Sequence, residues 1–488
     1  MSISSALNNA ASGLRAASKL AGTISGNVSN ALTAGYAARA TELSSLSAGG
    51  LGSGVRVVAT TRAENAYLTS ERRLAQASAA ASGARSDAEA RLVAAMGEAG
   101  ARGSLSASAT ALETALMSAS ASPQSTTLLT AAADAARTLA GSLAAAAAEA
   151  AETRTEADSG IARQVAALNE TLHRVEDLNG RITSLSLQGV DTLSLQDQRA
   201  TLIDRISTIV PVRTVNRENG AVAIHTQGGA TLLDGVVWEL GFTPTPNGVT
   251  AEMTLGNGAL SGLSQKQGTA IVGLAAGTGS GALDGGSLGA LFEVRDTIVP
   301  GFTGELDLYA ADLMSRFRDL APAGALDAGG EGLFVDATGA GGTAGLAGRI
   351  ALNAAVDPDR GGAVYRLRDG LAAASPGVEG NGSLLQALAD AMAAAREPAG
   401  FVSQTAKAGS ATMASEISAW FLGRSARTDD DLAFQTARAD TLAEEELNAV
   451  GVDSDGQLQF LTVVEQAYAA NARVLSVIDD LMRTLLEI

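Results

Sequence analysis

Cysteine is absent from the 488 residues, and histidine occurs only twice, at His173 and His225. The first absence excludes thiol catalysis, disulfides and thiolate metal sites. The second leaves little for an imidazole-based centre, and neither histidine has a carboxylate at convincing metal-ligand spacing. Aromatic residues make up 3 % and there are 9 prolines, so the 46 % of hydrophobic residues is mainly Ala, Leu, Val and Ile, as suits long helices with thin interfaces. Basic residues are too few as well: 34 Lys and Arg against 52 Asp and Glu leave a net charge of −18, with no basic block. That argues against nucleic acid as a partner, because phosphate must be neutralised by clustered cations. No charge-free apolar run of 18 residues occurs outside Ala-rich helix, so no membrane insertion is expected. The start, MSISSALNNAASGLRAASKL, has no basic segment followed by an apolar run, so no cleaved signal peptide is expected.

What is present begins at the two ends. Ile3, Leu7, Ala10, Leu14, Ala17, Ala21, Ile24, Val28 and Ala31 recur at alternating steps of four and three. Leu461, Val464, Tyr468, Asn471, Leu475, Ile478, Met482 and Leu485 repeat the pattern, and Phe460, Val474, Leu481 and Ile488 add an adjacent stripe. The two seams are about 42 Å and 36 Å long at 1.5 Å per residue, matched well enough to pair as one coiled coil. Isolated helices of this length are marginal in water, so both ends are expected to be mobile until neighbouring copies complete their interface. Tyr468 and Asn471 are the polar members of the second seam, and a polar core position can set register.

Between the ends the period changes twice. Ser44–Gly54 reads as a loop, followed by a short strand at Val55–Thr60. Helices are expected at Asn65–Ala81, Asp87–Ala99, Ser104–Ala119, from Ser125 to about Gln188, and at Leu195–Ile209, with Gly189 and Pro211 as stops. A period of two then runs through Val212 and Val215, Val222 and Ile224, Val236 to Leu240, and Val249 to Leu255, with a hairpin turn at Asn219-Gly220. Helix returns at Leu288–Leu320, Leu384–Arg396, Val402–Leu422 and Asp429–Val450, the last behind a Thr428…Asp431 capping box. The expected fold is mainly α with an inserted β domain: terminal coiled-coil helices, an elongated helical bundle and a small outer β domain. The expected division is 1–40 and 451–488 for the coiled coil, 41–210 and 286–450 for the bundle (with a Gly-rich mixed segment, 325–382), and 211–285 for the β domain.

Candidate chemistry is thin. Gly285-Gly-Ser287-Leu-Gly289 fits a nucleophile-elbow pattern, but that hydrolase order needs a histidine after the serine and both histidines precede it. The Gly277–Gly281 and Gly339–Gly345 stretches lack the strand, helix and acidic residue of a dinucleotide loop. Asp453-Ser-Asp455-Gly456 fails as a calcium loop, since its first and twelfth positions would be Gly451 and Thr462; it reads better as a helix cap. No catalytic residue, metal or cofactor is expected, and the chain is not expected to be an enzyme.

Several motifs carry a resemblance. Ser12-Gly13-Leu14, then Ile24-Ser25-Gly26-Asn27-Val28-Ser29-Asn30, then Thr33-Ala34-Gly35-Tyr36 resembles the N-terminal signature of the flagellar rod, hook and hook-associated proteins. The proline usual before Gly-Tyr is Ala34 here. Glu465–Val474 resembles the matching C-terminal signature. Leu195-Gln196-Asp197-Gln198-Arg199, and Gly285-Gly286-Ser287-Leu288-Gly289-Ala290-Leu291 with Arg295-Asp296 and Pro300, are similar to elements of the hook-associated branch and not of its rod and hook subunits.

The resemblance implies a structural subunit at the junction of hook and filament, in a ring of copies of itself. Its other contacts would be hook subunits and a second junction protein or filament subunits. It implies export, unfolded, through the flagellar type III apparatus to the extracellular flagellum, after a cytoplasmic chaperone has bound the C-terminal region. Another axial subunit such as a hook protein is the nearest alternative, and a secreted adhesin or hydrolase a more distant one.

Overall fold

The computed structural model describes residues 3–48, 51–97, 101, 103–267, 270–274, 281–320, 324–397, 399–404 and 406–486. The chain opens with α1 (Ile3–Asn30), an antiparallel ribbon β1 (Arg39–Ala48) and β2 (Leu51–Arg62), then α2 (Ala66–Met96), α3 (Leu105–Ala121), α4 (Thr126–Leu187) and α5 (Leu193–Ile209). Seven short strands follow: β3 (Val212–Asn216), β4 (Val222–Thr226), β5 (Thr231–Asp234), β6 (Val236–Val237), β7 (Glu239–Gly241), β8 (Leu263–Gln267) and β9 (Ala270–Leu274). They form a four-stranded antiparallel sheet, β3-β4-β5-β6, and a three-stranded one, β7-β8-β9. The return path is α6 (Gly286–Glu293), α7 (Val299–Arg318), a two-stranded pair of β10 (Phe334–Asp336) and β11 (Ile350–Leu352), α8 (Arg366–Asp369), α9 (Ser383–Ala393), α10 (Ser410–Val450) and α11 (Ser454–Leu486).

The fold is mainly α with an inserted β portion, as the periodicity led one to expect. Its spine is α4, whose 62 residues span about 93 Å. Ser125 caps its start by accepting from Leu128 N–H. Gly189, at φ 71°, ends it, and Val190 N–H bonds back to Leu185 O at 3.0 Å. The first half of α4 buries Leu129, Leu139 and Leu143 in one core with Leu112 of α3, Phe302 and Tyr309 of α7, Leu385 of α9 and Ile417 of α10. The second half buries Leu168, Leu172, Val175 and Ile182 in another with Ile206 of α5, Ile224 and Leu233 of the sheet and Leu288 of α6. The chain thus leaves the helical layer for the strands and re-enters it.

Local differences from the sequence expectation have identifiable causes. Helix α2 runs unbroken through Ser82-Gly83-Ala84, because Ser82 and Ser86 hydroxyls donate to Asp431 and Asp429 of α10, at 2.5 and 2.6 Å. Helix α10 is likewise continuous, so Thr428 is no cap: its hydroxyl donates to Glu89 of α2 at 2.8 Å. Residues 402–404 and 406–409 precede α10 rather than belong to it, and Val402 N–H donates to the buried Glu305 carboxylate at 2.7 Å. Residues 249–255 are irregular because their carbonyls serve α4, as described below, and the second sheet takes 263–267 and 270–274 instead. The Ser- and Gly-rich stretch after residue 39 is a long ribbon, with register shifts at Glu42/Leu43 and Leu46/Ser47. Gly49, Gly50, Ala99, Gly277–Ser280 and Ile488 lie outside the described residues, as does the Leu485 side chain.

Candidate functional site

The two ends of the chain meet. Helices α1 and α11 run antiparallel, since Asn27 contacts Gln457 while Gly13 faces Asn471. Ala17, Ile24 and Val464 form a small buried core, with Leu20, Ala21, Val28 and Leu461 packed against it. Ile478 is buried; Ile3, Leu14 and Leu475 are half-buried. Leu7, Tyr468 and Met482 are 41 %, 49 % and 47 % exposed, so the pair leaves part of its own seam uncovered. Asn471 sits on Gly13, where a Cβ would lie 2.8 Å from its amide, and its Nδ2 donates to Ala467 O at 2.9 Å. It acts by close approach and a local bond, not by a bond across the pair.

The base of the pair is a polar joint centred on Asn27, which is fully buried. Its Oδ1 accepts from Tyr36 O–H at 2.9 Å and from Arg39 N–H at 3.0 Å. Its Nδ2 donates to Arg39 O at 2.9 Å and Gln457 Oε1 at 3.0 Å. One amide therefore ties α1 to the following turn, the ribbon and the last helix, with every donor and acceptor used. Asn30 closes the last turn of α1 by donating to Gly26 O at 2.8 Å, and accepts from Thr33 O–H at 3.4 Å. Gly35 has φ 79°, and a Cβ there would lie 2.3 Å from Thr201 Oγ1 of α5, so both backbone and space require glycine. Burial raises the Tyr36 hydroxyl's pKa, with Arg39 opposing and Asp197 reinforcing.

A second tier anchors the joint to the body. Asp197 of α5 accepts from Arg39 Nη2 at 3.2 Å and Arg62 Nε at 2.7 Å, gripping both strands of the ribbon at their base. Arg199 is buried and donates to Asn179 Oδ1 at 2.8 Å and Gly220 O at 2.6 Å. Burial brings its pKa down to about 10, with Glu64 opposing and Arg62 reinforcing the fall. Gln198, between them, is exposed. The Asn27–Asn30, Gly35-Tyr36 and Asp197-Arg199 motif residues, far apart in sequence, thus sit around one joint.

The third motif does a different job. Gly285 and Gly286 have φ 89° and 63°, and a Cβ on Gly286 would lie 2.3 Å from Ile209 O, so this turn packs directly on the end of α5. Ser287 donates to Thr208 O at 3.3 Å, Leu288 is in the core, and a Cβ on Gly289 would meet Asp284 at an ordinary 3.5 Å, so this packing does not require that glycine. The pattern that mimicked a nucleophile elbow is a packing turn. One π-helical turn, Val294–Ile298, joins α6 to α7, with Val299 N–H bonded to Val294 O. Pro300 lacks the N–H an α-helix needs at that point, which suits the widened turn. Arg295, fully buried, stacks 4.8 Å from the Phe292 ring centroid and donates to Asp296 at 2.9 Å and to Asp158 of α4 at 2.8 Å. Burial alone would lower its pKa; the two carboxylates more than reverse that. Arg154 of α4 donates to Arg295 O, Thr250 O and Met253 O at 2.7–2.8 Å, which fixes the 249–255 segment.

Sequence reading missed Arg39, Arg62 and Gln457, and the ladder between α2 and α10. In that ladder Glu89 accepts from Arg424 at 2.7 Å, and Glu446 takes Thr69 and Arg72. The signal was there in charges about two turns apart along one face of α10, at Arg424, Asp431, Arg438 and Glu446. Among the described residues, no group of His, Asp and Glu could hold a metal ion, and no helix is long and apolar enough to cross a membrane.

Paired chain ends, a polar joint and a long helical body define a helix-dominated protein built around the meeting of its two ends. The sequence profile described as "Flagellar hook-associated protein FlgK helical domain" matches residues 90–334. The chain belongs to that family, one of structural flagellar proteins not known as enzymes. Among solved structures it is similar to the flagellar hook junction protein FlgK from Burkholderia pseudomallei, at 20 % identity and a TM-score of 0.45, over 55 % of this chain and 46 % of that one. The match thus spans under half the length of that relative. No curated protein sequence matches the chain.

Proposed function

We propose that this chain is the subunit that joins hook to filament in a bacterial flagellum, and that it assembles as a ring through its paired terminal helices. The observation that carries this reading is the antiparallel pairing of α1 with α11, locked at its base by Asn27. A pair with so small a core gains little by itself, because each fully buried Leu or Ile contributes only about 1.5–3 kcal/mol against the ordering of two long helices. It becomes stable when neighbouring copies cover Leu7, Tyr468, Met482 and the rest of the seam, so folding of the ends is coupled to assembly. Its neighbours in the axis are hook subunits below and a second junction protein or filament subunits above. It reaches the extracellular flagellum by type III export, escorted by a chaperone on its C-terminal region. The mechanism asks nothing chemical of the side chains, only shape and pairing.

The test is a strain lacking this chain. Hooks without filaments, and filament subunits free in the medium, are the expected result. Normal filaments on the mutant's hooks would refute the reading.

A further inference from the structure

A cleft of about 490 Å³ lies beside the joint, between α2, α5, β3 and the end of α10, and four arginines line it. Three of them give their Nε–H to a carboxylate. Arg62 Nε donates to Asp197 at 2.7 Å, Arg73 Nε to Asp204 at 2.7 Å, and Arg72 Nε to Glu446. Arg199 is the exception. It is only 8 % exposed, yet it forms no ion pair among the described residues. Its Nη1 is saturated by Asn179 Oδ1 and Gly220 O. Left over are Nε–H and the Nη2–H parallel to it, the side-on edge that matches a carboxylate with two bonds. Neither nitrogen has a protein partner among the described residues, and neither is sealed from solvent.

The charge balance says what fits that edge. The cleft sets Arg62, Arg72, Arg73 and Arg199 against Glu64, Asp204 and Glu446, which leaves one positive charge uncompensated in a chain of net charge −18. The three acids are already committed: Asp204 to Arg72 and Arg73, Glu446 to Thr69 and Arg72, and Glu64 to Arg62 at 3.1 Å. A monoanion cancels the surplus, whereas a phosphate dianion would face those acids with one charge too many. Ile203, Val212 and Val222 also line the cleft and offer apolar wall to a short stem.

We propose that the side-on edge of Arg199 binds a small free monocarboxylate in this cleft. Bound there, the ion gives the buried guanidinium the anion that its three neighbours already have, and so firms the seat of the joint on α5. This site asks only for the folded chain and stands apart from the assembly reading.

The test titrates full-length protein with ¹³C-labelled acetate at constant ionic strength, with chloride as the balancing salt, and reads binding by NMR line broadening and by melting. The parent should bind one acetate per chain, saturably, with a dissociation constant on the order of millimolar, as suits a single bidentate pair in a half-open cleft. Acetate should raise its melting temperature where chloride does not, and inorganic phosphate should bind more weakly. Arg199→Gln should lose the site. Because that change also removes the bonds to Asn179 and Gly220, Gln196→Glu is the second variant: it places a carboxylate on the cleft wall one helical turn before Arg199. It should fold, bind acetate at least about tenfold more weakly than the parent, and lose the acetate-dependent rise in melting. The proposal is wrong if acetate acts on the parent no differently from chloride, or if Gln196→Glu binds it as the parent does. It is also wrong if rising protein concentration displaces acetate, since an acidic side chain of a second copy then holds the edge.

Discussion

Asn27 shows how much one amide can do when four partners converge on it. Replacing it with Ala leaves Tyr36 O–H, Arg39 N–H, Arg39 O and Gln457 short of a partner. A buried polar group left unmatched costs about 1–3 kcal/mol, so Asn27→Ala should weaken the joint by roughly 2–4 kcal/mol. Hydrogen exchange should register this as lost amide protection in α1 and α11, with α4 unaffected. Gly35→Ala should cost at least about 1 kcal/mol from its positive φ alone. Adding Thr201→Ala should relieve the steric part and leave the backbone part, which stability curves of the two variants would separate. His173 offers a pH test. Hydrogen bonds to Glu176 first and Glu239 second, at 3.1 and 3.2 Å, raise its pKa above the ordinary 6.5. The bridge from α4 to β7 is therefore fully present below pH 6.5 and is lost as pH rises through the higher folded value. His173 is half exposed, so the effect on stability is small. The NMR titration should still move back towards 6.5 in Glu176→Gln.

Among the elements, legibility followed periodicity. Helices α1, α4 and α11 stood out because long stretches repeat one pattern, and α4 ends at Gly189 as expected. The motif residues Asn27, Gly35, Tyr36, Asp197 and Arg199 could be named from the sequence, but not their meeting place, because nothing local in α5 says that Asp197 will hold Arg39 and Arg62. Tertiary partners overrode local signals elsewhere. Ser82-Gly83 would break an isolated helix, yet Asp429 and Asp431 of α10 hold α2 through it. Thr428 has the look of a cap, yet Glu89 claims its hydroxyl. Residues 249–255 alternate like a strand, yet Arg154 takes their carbonyls. The Arg295 knot makes these dependencies measurable. Arg295→Ala leaves the buried Asp158 and the half-buried Asp296 without their cation, which should cost about 3–5 kcal/mol. The melting temperature of the body should fall clearly, and Arg295→Lys should not restore it, because an ammonium cannot bond both carboxylates and stack on Phe292.

For the whole molecule, the packing separates a well-buried body from lightly buried ends. The body has two contiguous cores sharing α4 as a spine, whereas the terminal pair buries only a few side chains and keeps apolar residues in water. Leu475→Asp with Ile478→Asp should therefore block assembly and leave the cooperative melting of the body intact, as followed by circular dichroism. The high negative charge works in the same direction by keeping free copies apart until specific faces meet.

The coupling of terminal order to polymerisation is tested most directly by hydrogen–deuterium exchange on the same preparation before and after assembly. Amides of α1 and α11 should exchange far faster than those of α4 in the free subunit and slow by at least tenfold in the assembled form, with α4 unchanged. Terminal amides equally protected in both states, or slowing confined to the body, would contradict it.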